Sequence, residues 1–247
     1  MKGIILAGGR GTRLYPLTKV CNKHLLPLGP YPMIYYPIFK LRQAGITDIL
    51  LVTGAEDVGQ FAALLGSGRD FNVSFTYRVQ ERPGGIAEAL LLGKEYVGSS
   101  PFVVLLGDNM FADDLSPIVQ RFAKGKEKAK LILKEVEDPR QFGVAELRDQ
   151  RILGIEEKPV TPKSKYAVTG IYLYRSEVFE VIAGLSPSAR GEMEITDVNN
   201  FFVSTGEISY EMLDSWWEDA GTLPNYYKVN QLHQSANLLS SSVTKSS

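Results

Sequence analysis

The segment GIILAGGRGTRLYPLT (residues 3–18) decides the fold class of this chain. Its apolar residues 4–7 run directly into a loop that holds three glycines and two arginines. An apolar strand followed by such a bend is typical of an open α/β sheet, in which ligands bind beyond the carboxyl ends of the strands. The segment therefore predicts a first strand that delivers a loop to a binding site.

The composition of the loop points to an anionic ligand. Glycines let successive backbone N–H groups approach an anion, and Arg10 or Arg13 can clamp phosphate oxygens in a bidentate manner. The loop lacks the G-K-[ST] of a P-loop, and the run GRGTRL from Gly9 lacks the last glycine of the dinucleotide fingerprint. Taken alone, the bend also fits an ordinary βα turn, so its role depends on the rest of the chain.

Strand and helix signals alternate over the first half of the sequence. The continuous apolar run FVVLL (Phe102–Leu106) is typical of a strand that is covered on both faces. The patterns predict strands over residues 3–6, 48–52, 73–77 and 102–106, and helices over residues 33–44, 57–65, 86–97 and 115–123. This alternation predicts βαβ units and a mostly parallel sheet.

The second half is richer in strands with short connections. Strands are predicted over residues 130–136, 143–147, 152–157, 166–174 and 208–213, and helices over residues 178–183, 195–203 and 225–239. The RDQR segment (residues 148–151) is predicted to be a hairpin turn. The prediction is an α/β fold, a Rossmann-like three-layer α/β/α architecture with a central mixed, mostly parallel sheet. A single domain is expected over residues 1–238, followed by a polar tail over residues 239–247.

Composition excludes several classes of protein. The 247 residues include 27 basic and 28 acidic ones, a balance that argues against a nucleic-acid partner. The single cysteine, Cys21, excludes an intrachain disulfide and fits a reducing compartment; with two histidines in the chain, a nucleophilic role for it is disfavoured. No stretch approaches the ~20 apolar residues of a membrane span. We therefore expect a cytoplasmic protein without a nucleic-acid or membrane partner.

Several motifs, taken together and in order, resemble one known family. LAGGRGTRLYPLT, NKHLLP and PMIYYP resemble the N-terminal signature of sugar nucleotidyltransferases, in particular of glucose-1-phosphate thymidylyltransferases. The motifs that follow in the same order are GDN (residues 107–109), EEKP (156–159), YAVTGIYLY (Tyr166–Tyr174), SARGEMEITDVNN (188–200) and WWEDAGT (216–222). The resemblance covers residues 2–222, implies the nucleotide-diphospho-sugar transferase type of fold, and is closest to the short forms found with spore-coat polysaccharide genes.

The resemblance implies a reaction. Glucose 1-phosphate and dTTP would give dTDP-glucose and pyrophosphate, through Mg²⁺-assisted in-line attack of the sugar phosphate on the α-phosphorus. UTP in place of dTTP stays open, as do the hexose and a homo-oligomeric state. A non-catalytic sugar-nucleotide-binding regulatory protein is the main alternative, disfavoured because the acidic and basic site residues are present. The missing fingerprint glycine disfavours an NAD-dependent oxidoreductase.

The resemblance also implies roles for individual residues. Those expected to be catalytic are Arg13, Lys23, Asp108 and Lys158, and Mg²⁺ is expected on Asp108 and Asp219; as alternatives, the two aspartates could cap a turn or a helix. The expected nucleotide-binding residues are Leu6, Ala7, Gly8, Gly9, Gly11, Thr12, Arg13, His24, Gln80, Pro83 and Gly85. The expected sugar-phosphate-binding residues are Leu106, Asp108, Gly143, Glu157, Lys158, Val168 and Arg190. Within the domain, residues 1–125 would form the nucleotide-binding half and residues 126–238 the sugar-phosphate-binding half.

The sequence departs from the family pattern in three respects. His24 stands where these thymidylyltransferases usually carry glutamine, which puts its contact to the nucleotide in doubt. Phe142 stands where tyrosine is usual, so a hydroxyl contact is lost there. The chain is also short, and the extra C-terminal helices of longer members, with their oligomer interface and regulatory site, cannot be carried over to it.

Overall fold

Apolar, leucine-rich and β-branched segments build one central sheet, and amphipathic helices cover it. The structure, a computed structural model, describes residues 1–188 and 190–235. Its strands are β1 (Lys2–Leu6), β2 (Pro27–Leu28), β3 (Tyr31–Pro32), β4 (Asp48–Gly54), β5 (Ser74–Gln80), β6 (Phe102–Leu106), β7 (Asn109–Phe111), β8 (Ala129–Glu135), β9 (Gly143–Arg148), β10 (Arg151–Glu157), β11 (Tyr166–Tyr174), β12 (Ile208–Met212) and β13 (Trp217–Asp219). Its α-helices are α1 (Tyr35–Gln43), α2 (Val58–Leu65), α3 (Ile86–Leu91), α4 (Lys94–Val97), α5 (Ser116–Lys124), α6 (Val178–Ala183), α7 (Ile195–Thr205) and α8 (Leu223–Ser235).

The central sheet has nine strands and is mixed. Its main order is β10-β9-β11-β6-β1-β4-β5, and β8 pairs with both β11 and β12. Strands β6, β1, β4 and β5 run parallel to one another, whereas β11 is antiparallel to β6, β8 and β9. The strands of the second half of the chain therefore extend the parallel sheet formed by the first half.

Alternate side chains of β1 face opposite sides of the sheet, which creates two apolar layers. Ile4 and Leu6 pack with residues of α3, α4, α6 and α7. Ile5, followed by Ala7 just beyond the strand, packs with residues of α1, α2 and α5 on the other face. The period of two in a strand and helices on both faces produce the predicted three-layer α/β/α architecture.

The prediction of one continuous helix over residues 86–97 was wrong. The chain forms two helices there, α3 and α4, with a turn at Gly93 between them. A Cβ on Gly93 would lie 2.7 Å from Cδ1 of Ile4. This close approach of backbone to β1 interrupts the helix and is invisible to the hydrophobic period of the sequence.

Small elements complete the fold. Strands β7 and β13 form a two-stranded antiparallel sheet that the sequence patterns did not predict. The hairpin at residues 148–151 is confirmed, with Asp149 and Gln150 at φ values of 50° and 60°. The last helix begins at Leu223 rather than residue 225, and its predicted residues 236–239, like the predicted tail, lie outside the described residues. Within the described parts of the chain, no helix has both the length and the apolar character needed to cross a membrane.

Candidate active site

A cavity of about 650 Å³ opens at the carboxyl ends of β1 and β6, where the motifs of both halves of the chain meet. This is the edge of the sheet at which an open α/β fold is expected to bind its ligand. The predicted site residues that line it are Leu6, Gly8, Gly9, Arg13, Lys23, His24, Gln80, Pro83, Gly85, Leu106, Asp108, Gly143, Glu157, Lys158, Val168, Arg190 and Asp219. Residues more than 200 positions apart in the sequence thus line one cavity.

Three of the predicted nucleotide-binding residues do not line this cavity. Ala7 is fully buried, and its carbonyl accepts a hydrogen bond from Nδ2 of Asn22 at 3.3 Å. Gly11 has φ +61°, and a Cβ there would lie 2.8 Å from Cγ2 of Thr18. Thr12 begins the 3₁₀ turn Thr12–Leu14. These residues shape the glycine-rich loop, and Gly11 is needed for its left-handed turn.

The two aspartates of the predicted metal site are brought together by β7 and β13. Asp108 precedes β7, and Asp219 ends β13 as the register partner of Asn109. The Ala220 N–H donates to the Asp108 carbonyl at 2.8 Å, which continues this pairing beyond the strands. The small sheet that the sequence patterns missed is therefore the element that aligns the two carboxylates.

Gly221 marks the point on which the charges of this end of the cavity converge. A Cβ on Gly221 would lie 2.7 Å from Oδ1 of Asp219, 2.9 Å from Oδ2 of Asp108 and 3.2 Å from Nη2 of Arg13. The Gly221 N–H also donates to Oδ1 of Asp219 at 2.7 Å. Glycine leaves room there for two carboxylates and a guanidinium that any side chain would displace.

Burial and charge act differently on the two aspartates. Lys23 donates from Nζ to Oδ2 of Asp108, and the side chains are only 14% and 9% exposed. Burial alone would raise the pKa of Asp108, but the adjacent Lys23 ammonium, aided by smaller contributions, holds that pKa below its usual range. Burial, and then the negative charge of Asp108, raise the pKa of Asp219 to about 6. The Lys23 ammonium and the Arg13 guanidinium therefore offset the effects of burial and of the neighbouring carboxylate on Asp219 only in part.

This pair could hold a divalent cation that completes its coordination elsewhere. Among residues 1–188 and 190–235, no cluster of three or more histidine, cysteine, aspartate or glutamate side chains could enclose a metal ion. Two carboxylates with under-compensated charge fit a hard cation that takes its remaining ligands from water and substrate phosphates. A closed, all-protein metal cage does not fit these residues.

A second charged cluster lines another part of the same cavity. Oε1 of Glu157 lies 3.2 Å from Nζ of Lys158 and 3.6 Å from Nη2 of Arg190. Oε2 of Glu157 accepts a hydrogen bond from Oγ1 of Thr196 at 2.6 Å. Arg190 also pairs with Glu194 at 2.8 Å. The cluster presents two cations and a shared carboxylate to the cavity.

Lys158 is held in an unusual backbone conformation. Its φ is 47°, a left-handed value that side chains other than glycine seldom adopt. Its N–H donates to the carbonyl of Phe142 at 3.0 Å, which ties the end of β10 to the segment before β9. Such conformations persist where surrounding contacts fix them, and they are frequent at ligand sites.

His24 lies deep in the wall of the cavity and is 1% exposed. Its backbone N–H and its Nδ1 both lie within hydrogen-bond distance of Oδ1 of Asn22, at 2.9 and 2.8 Å. Burial, and then the charge of Lys23, lower the pKa of His24 to about 3. The imidazole is therefore neutral at physiological pH, and it packs against Gly107, where a Cβ would lie 2.6 Å from its Cδ2.

Several residues that line the cavity were not predicted to do so. They are Ile86, Ala89, Asn109, Gln141, Gly170, Tyr172, Glu192, Ile195, Thr196, Asn199 and Trp217, together with Phe142, whose change from tyrosine had been noted. Oδ1 of Asn109 accepts from Nε1 of Trp217 and from the Gly170 N–H, each at 2.8 Å. Asn109 and Trp217 lie inside the quoted GDN and WWEDAGT motifs, which was the available signal. Gly170, Tyr172, Glu192, Ile195, Thr196 and Asn199 likewise lie inside the quoted motifs YAVTGIYLY and SARGEMEITDVNN, whereas Ile86, Ala89 and Gln141 lie outside the quoted motifs.

Comparison with known proteins agrees with this geometry. The sequence profile of the nucleotidyl transferase family matches residues 2–236. A glucose-1-phosphate thymidylyltransferase of Neisseria meningitidis serogroup A is 45% identical over 226 residues, which are 90% of this chain and 78% of that relative. Its counterpart from Mycobacterium tuberculosis H37Rv is 44% identical over 226 residues, again 90% and 78% of the two chains.

Solved structures give the same result. A Bacillus anthracis protein assigned to the glucose-1-phosphate thymidylyltransferases, solved with sucrose, is 56% identical, with a TM-score of 0.92 and 96% of each chain covered. A UDP-glucose pyrophosphorylase solved with UDP-glucose is 25% identical, with a TM-score of 0.83 over 95% of this chain and 98% of that one. The chain belongs to the nucleotidyl transferase family, within its glucose-1-phosphate thymidylyltransferase group.

Proposed function

We propose that this protein joins glucose 1-phosphate to dTTP, giving dTDP-glucose and pyrophosphate. The observation that carries the proposal is the placement of two separate charged clusters in one cavity. Asp108, Asp219, Lys23 and Arg13 form one cluster, here called the nucleotide end, and a second set of cations gathers around Glu157, here called the sugar end. A reaction that joins two phosphorylated substrates needs two such anion sites in one cavity.

The nucleotide end binds the triphosphate. The N–H groups of the glycine-rich loop and the guanidinium of Arg13 contact its phosphates, and Lys23 adds a second positive charge. A phosphate oxygen of the sugar phosphate attacks the α-phosphorus, and the bond to the pyrophosphate breaks. Arg13 and Lys23 stabilise the negative charge on the transferred nucleotidyl group and the leaving pyrophosphate, because fixed cations are already in place when that charge develops.

Asp108 and Asp219 are the residues that would hold Mg²⁺. The raised pKa of Asp219 is consistent with this assignment, since it reflects burial first and then the nearby negative charge of Asp108, both of which a bound cation would offset. When bound, Mg²⁺ supplies positive charge that draws the two anionic substrates together and polarises the phosphoryl oxygens. The two carboxylates fix the position of that charge relative to Arg13.

The sugar end binds glucose 1-phosphate. Lys158 and Arg190 contact its phosphate, and Glu157, oriented by Thr196, accepts hydrogen bonds from sugar hydroxyls. Gly143 and Val168 line the same part of the cavity and contribute backbone groups and apolar surface. Two substrates held in this way meet as if in a single molecule, which removes much of the entropic cost of their encounter.

The two ends also support a functional division of the single domain over residues 1–238. The triphosphate and base contacts come from residues 1–125, and the sugar-phosphate contacts come from residues 126–238. Three residues cross this division: Asp219 of the second half faces the nucleotide end, and Leu106 and Asp108 of the first half are expected to contact the sugar phosphate as well. We further propose a cytoplasmic enzyme, and the described residues leave its oligomeric state open.

UTP is the second candidate nucleotide. We assign base recognition to Gln80 and Gly85, two of the expected nucleotide-binding residues. Thymine and uracil present the same neighbouring carbonyl and N–H groups, so these contacts serve both bases. The UDP-glucose pyrophosphorylase that shares the fold is consistent with this alternative. A non-catalytic regulatory role is less compatible with the sequence, because Arg13, Lys23 and Asp108 are all in place.

Pyrophosphate release tests the proposal directly. Glucose 1-phosphate and Mg²⁺ are combined with dTTP, UTP, CTP, GTP or ATP in separate reactions, each with an EDTA control. Release that requires metal and both substrates, and is fastest with dTTP, supports the proposed function. Release that is fastest with UTP moves the assignment to a uridylyltransferase. Absence of release with every nucleotide and with other hexose 1-phosphates contradicts an enzymatic role.

A further inference from the structure

The side-chain amide of Gln80 is held in one orientation by its neighbours. At the end of β5, Nε2 of Gln80 donates to the carbonyl of Gly85 at 3.3 Å and to Oε1 of Glu88 at 3.2 Å. A backbone carbonyl and a carboxylate are both hydrogen-bond acceptors. The NH₂ end of the amide must therefore face them, and the opposite orientation would place oxygen against oxygen.

The other end of the same amide faces the cavity. Oε1 of Gln80 lies 3.5 Å from the position that a Cβ on Gly8 would occupy. Both Gly8 and Gln80 line the cavity, on the side where the glycine-rich loop begins. The group that Gln80 offers to a ligand there is thus an acceptor, while its two N–H donors are already used by the protein.

The carboxylate of Glu88 sits in a space that the backbone leaves for it. Glu88 belongs to the first turn of α3, and its side chain folds over Gly84. A Cβ on Gly84 would lie 1.9 Å from Oε2 of Glu88 and 2.1 Å from its Cδ. Only glycine at position 84 is compatible with this placement of the carboxylate, and therefore with its hydrogen bond to Gln80.

We propose that Glu88 is a positioning residue that fixes the Gln80 carbonyl toward the nucleobase and so sets base selectivity. This inference rests on the proposed function, in which Gln80 reads the base. An acceptor at that point binds a base that presents a ring N–H, as N3–H of thymine and uracil does. The N3 of cytosine is itself an acceptor and is repelled. Glu88 thereby contributes to selectivity without touching the substrate.

Glu88→Gln tests this role. A glutamine at position 88 can present either an oxygen or an NH₂ group, so the Gln80 amide keeps only the Gly85 carbonyl as a fixed acceptor and turns more readily. We expect KM for dTTP to rise and the preference of kcat/KM for dTTP over CTP to fall about tenfold, while KM for glucose 1-phosphate stays unchanged. Glu95→Gln, on the neighbouring helix α4 and outside the cavity, is the matched control and should retain the preference. An unchanged preference in Glu88→Gln overturns the inference.

A second variant keeps the inference testable if Glu88→Gln fails to fold. Gly84→Ala keeps Glu88 but displaces its carboxylate, and we expect the same loss of selectivity. If both variants melt like the unaltered protein and both keep the dTTP preference, Glu88 does not orient Gln80. If only Glu88→Gln unfolds, the Gly84→Ala result decides: loss of the preference supports the inference and its retention overturns it.

A double variant separates positioning from general structural support. In a Gln80→Ala background, Glu88→Gln should have no further effect on base selectivity, because the group that it orients is gone. A further tenfold loss in that background would show that Glu88 acts by another route. Calorimetric binding of dTTP and CTP to the unaltered protein, measured without turnover, distinguishes the two failures. Selective dTTP binding without pyrophosphate release contradicts the proposed function alone, whereas active protein with selectivity unaffected by Glu88→Gln contradicts this inference alone.

Discussion

The two ends of the cavity hold their charges in contrasting ways. The nucleotide end is called the metal end here, because Asp108 and Asp219 lie in it, and the other is the sugar end. At the metal end, the Asp108 and Lys23 side chains are 9% and 14% exposed, and burial and then the charge of Asp108 raise the pKa of Asp219. At the sugar end, Lys158 and Arg190 are 46% and 47% exposed and already paired with carboxylates of the protein. The metal end buries its charges, whereas the sugar end leaves its cations exposed and paired with carboxylates of the protein.

This contrast assigns different tasks to the two ends. Buried charges interact strongly with one another and with an incoming cation, because little water screens them. Exposed ion pairs contribute little to stability and exchange partners readily, so a substrate phosphate can replace a protein carboxylate at low cost. We therefore expect changes at the metal end to affect the chemical step and folding, and changes at the sugar end to affect substrate affinity.

Asp108→Asn should have the largest effect. The variant removes one of the two carboxylates that would hold Mg²⁺ and leaves the Lys23 ammonium without its buried partner. We expect kcat to fall by about 10³-fold or more, a loss typical of removing one preorganised electrostatic group. The measurement is the rate of pyrophosphate release as a function of Mg²⁺ concentration.

The control for this variant is Asp138→Asn. Asp138 is an exposed aspartate whose ion pair with Arg140, at 2.7 Å, lies outside the cavity. It should leave both the rate and the Mg²⁺ dependence unchanged. If Asp108→Asn remained folded and retained most of its rate at ordinary Mg²⁺ concentrations, the assignment of the metal end would have to be abandoned.

His24→Gln should change the pH dependence of stability. The pKa of His24 is lowered to about 3 in the folded protein from an ordinary 6.5, so the unfolded chain binds a proton that the folded chain refuses between these values. The stability that comes from keeping His24 neutral is therefore fully present above pH 6.5, and it is lost progressively as the pH falls below that value. Between pH 7 and pH 5 the loss amounts to about 2 kcal/mol.

Glutamine does not titrate, so the variant should lose less stability on acidification than the unaltered protein. Urea unfolding of both proteins at pH 7 and pH 5 gives the comparison, and the difference between them isolates His24 from other groups that titrate in this range. Equal losses of the free energy of unfolding would mean that the buried imidazole takes up a proton in the folded state, contrary to its position behind Lys23.

Lys158→Ala should have an intermediate effect, confined to one substrate. Loss of an exposed cation that contacts the phosphate of glucose 1-phosphate should raise KM for that substrate about tenfold and leave KM for dTTP unchanged. The matched control is Lys163→Ala. Lys163 is an exposed lysine that lies outside the cavity, and its Nζ is 3.5 Å from Oε2 of Glu146. Equal increases in both KM values would contradict the division of the cavity into two ends.

The sequence allowed the parts of this comparison to be predicted, but not the contrast itself. The strand FVVLL, the glycine-rich loop and the ordered motifs were sufficient for the fold class and for naming Asp108, Lys158 and their partners. Such motifs are contiguous in the chain, and an α/β sheet delivers the ends of parallel strands to one edge. The position of the glycine-rich loop and of Asp108 at the cavity therefore followed from topology, whereas Lys158 reaches the cavity from β10, which is antiparallel to β9.

What the sequence did not reveal depends on contacts between distant segments. The pairing of β7 with β13 joins residues more than 100 positions apart, and strands of three residues leave almost no periodic signal. Burial of Lys23 and the left-handed φ of Lys158 likewise depend on the surrounding packing. Trp217 was visible in its motif but could equally have been a core residue, and its hydrogen bond to Asn109 appears only in the folded protein.

Added salt should change the kinetic constants least of all the tests, but it should affect the sugar end and leave the metal end unchanged. Raising KCl from about 50 to about 500 mM shortens the screening length to a few ångströms, which weakens exposed charge contacts far more than buried ones. The tenfold KM difference between Lys158→Ala and the unaltered protein should therefore shrink to about threefold, because the exposed ammonium loses most of its advantage. The kcat defect of Asp108→Asn should stay the same, since its buried surroundings exclude the salt. Parallel kinetics of the three proteins at both salt concentrations test this, and a Lys158→Ala difference that is insensitive to salt would indicate that substrate binding buries the sugar end as deeply as the metal end.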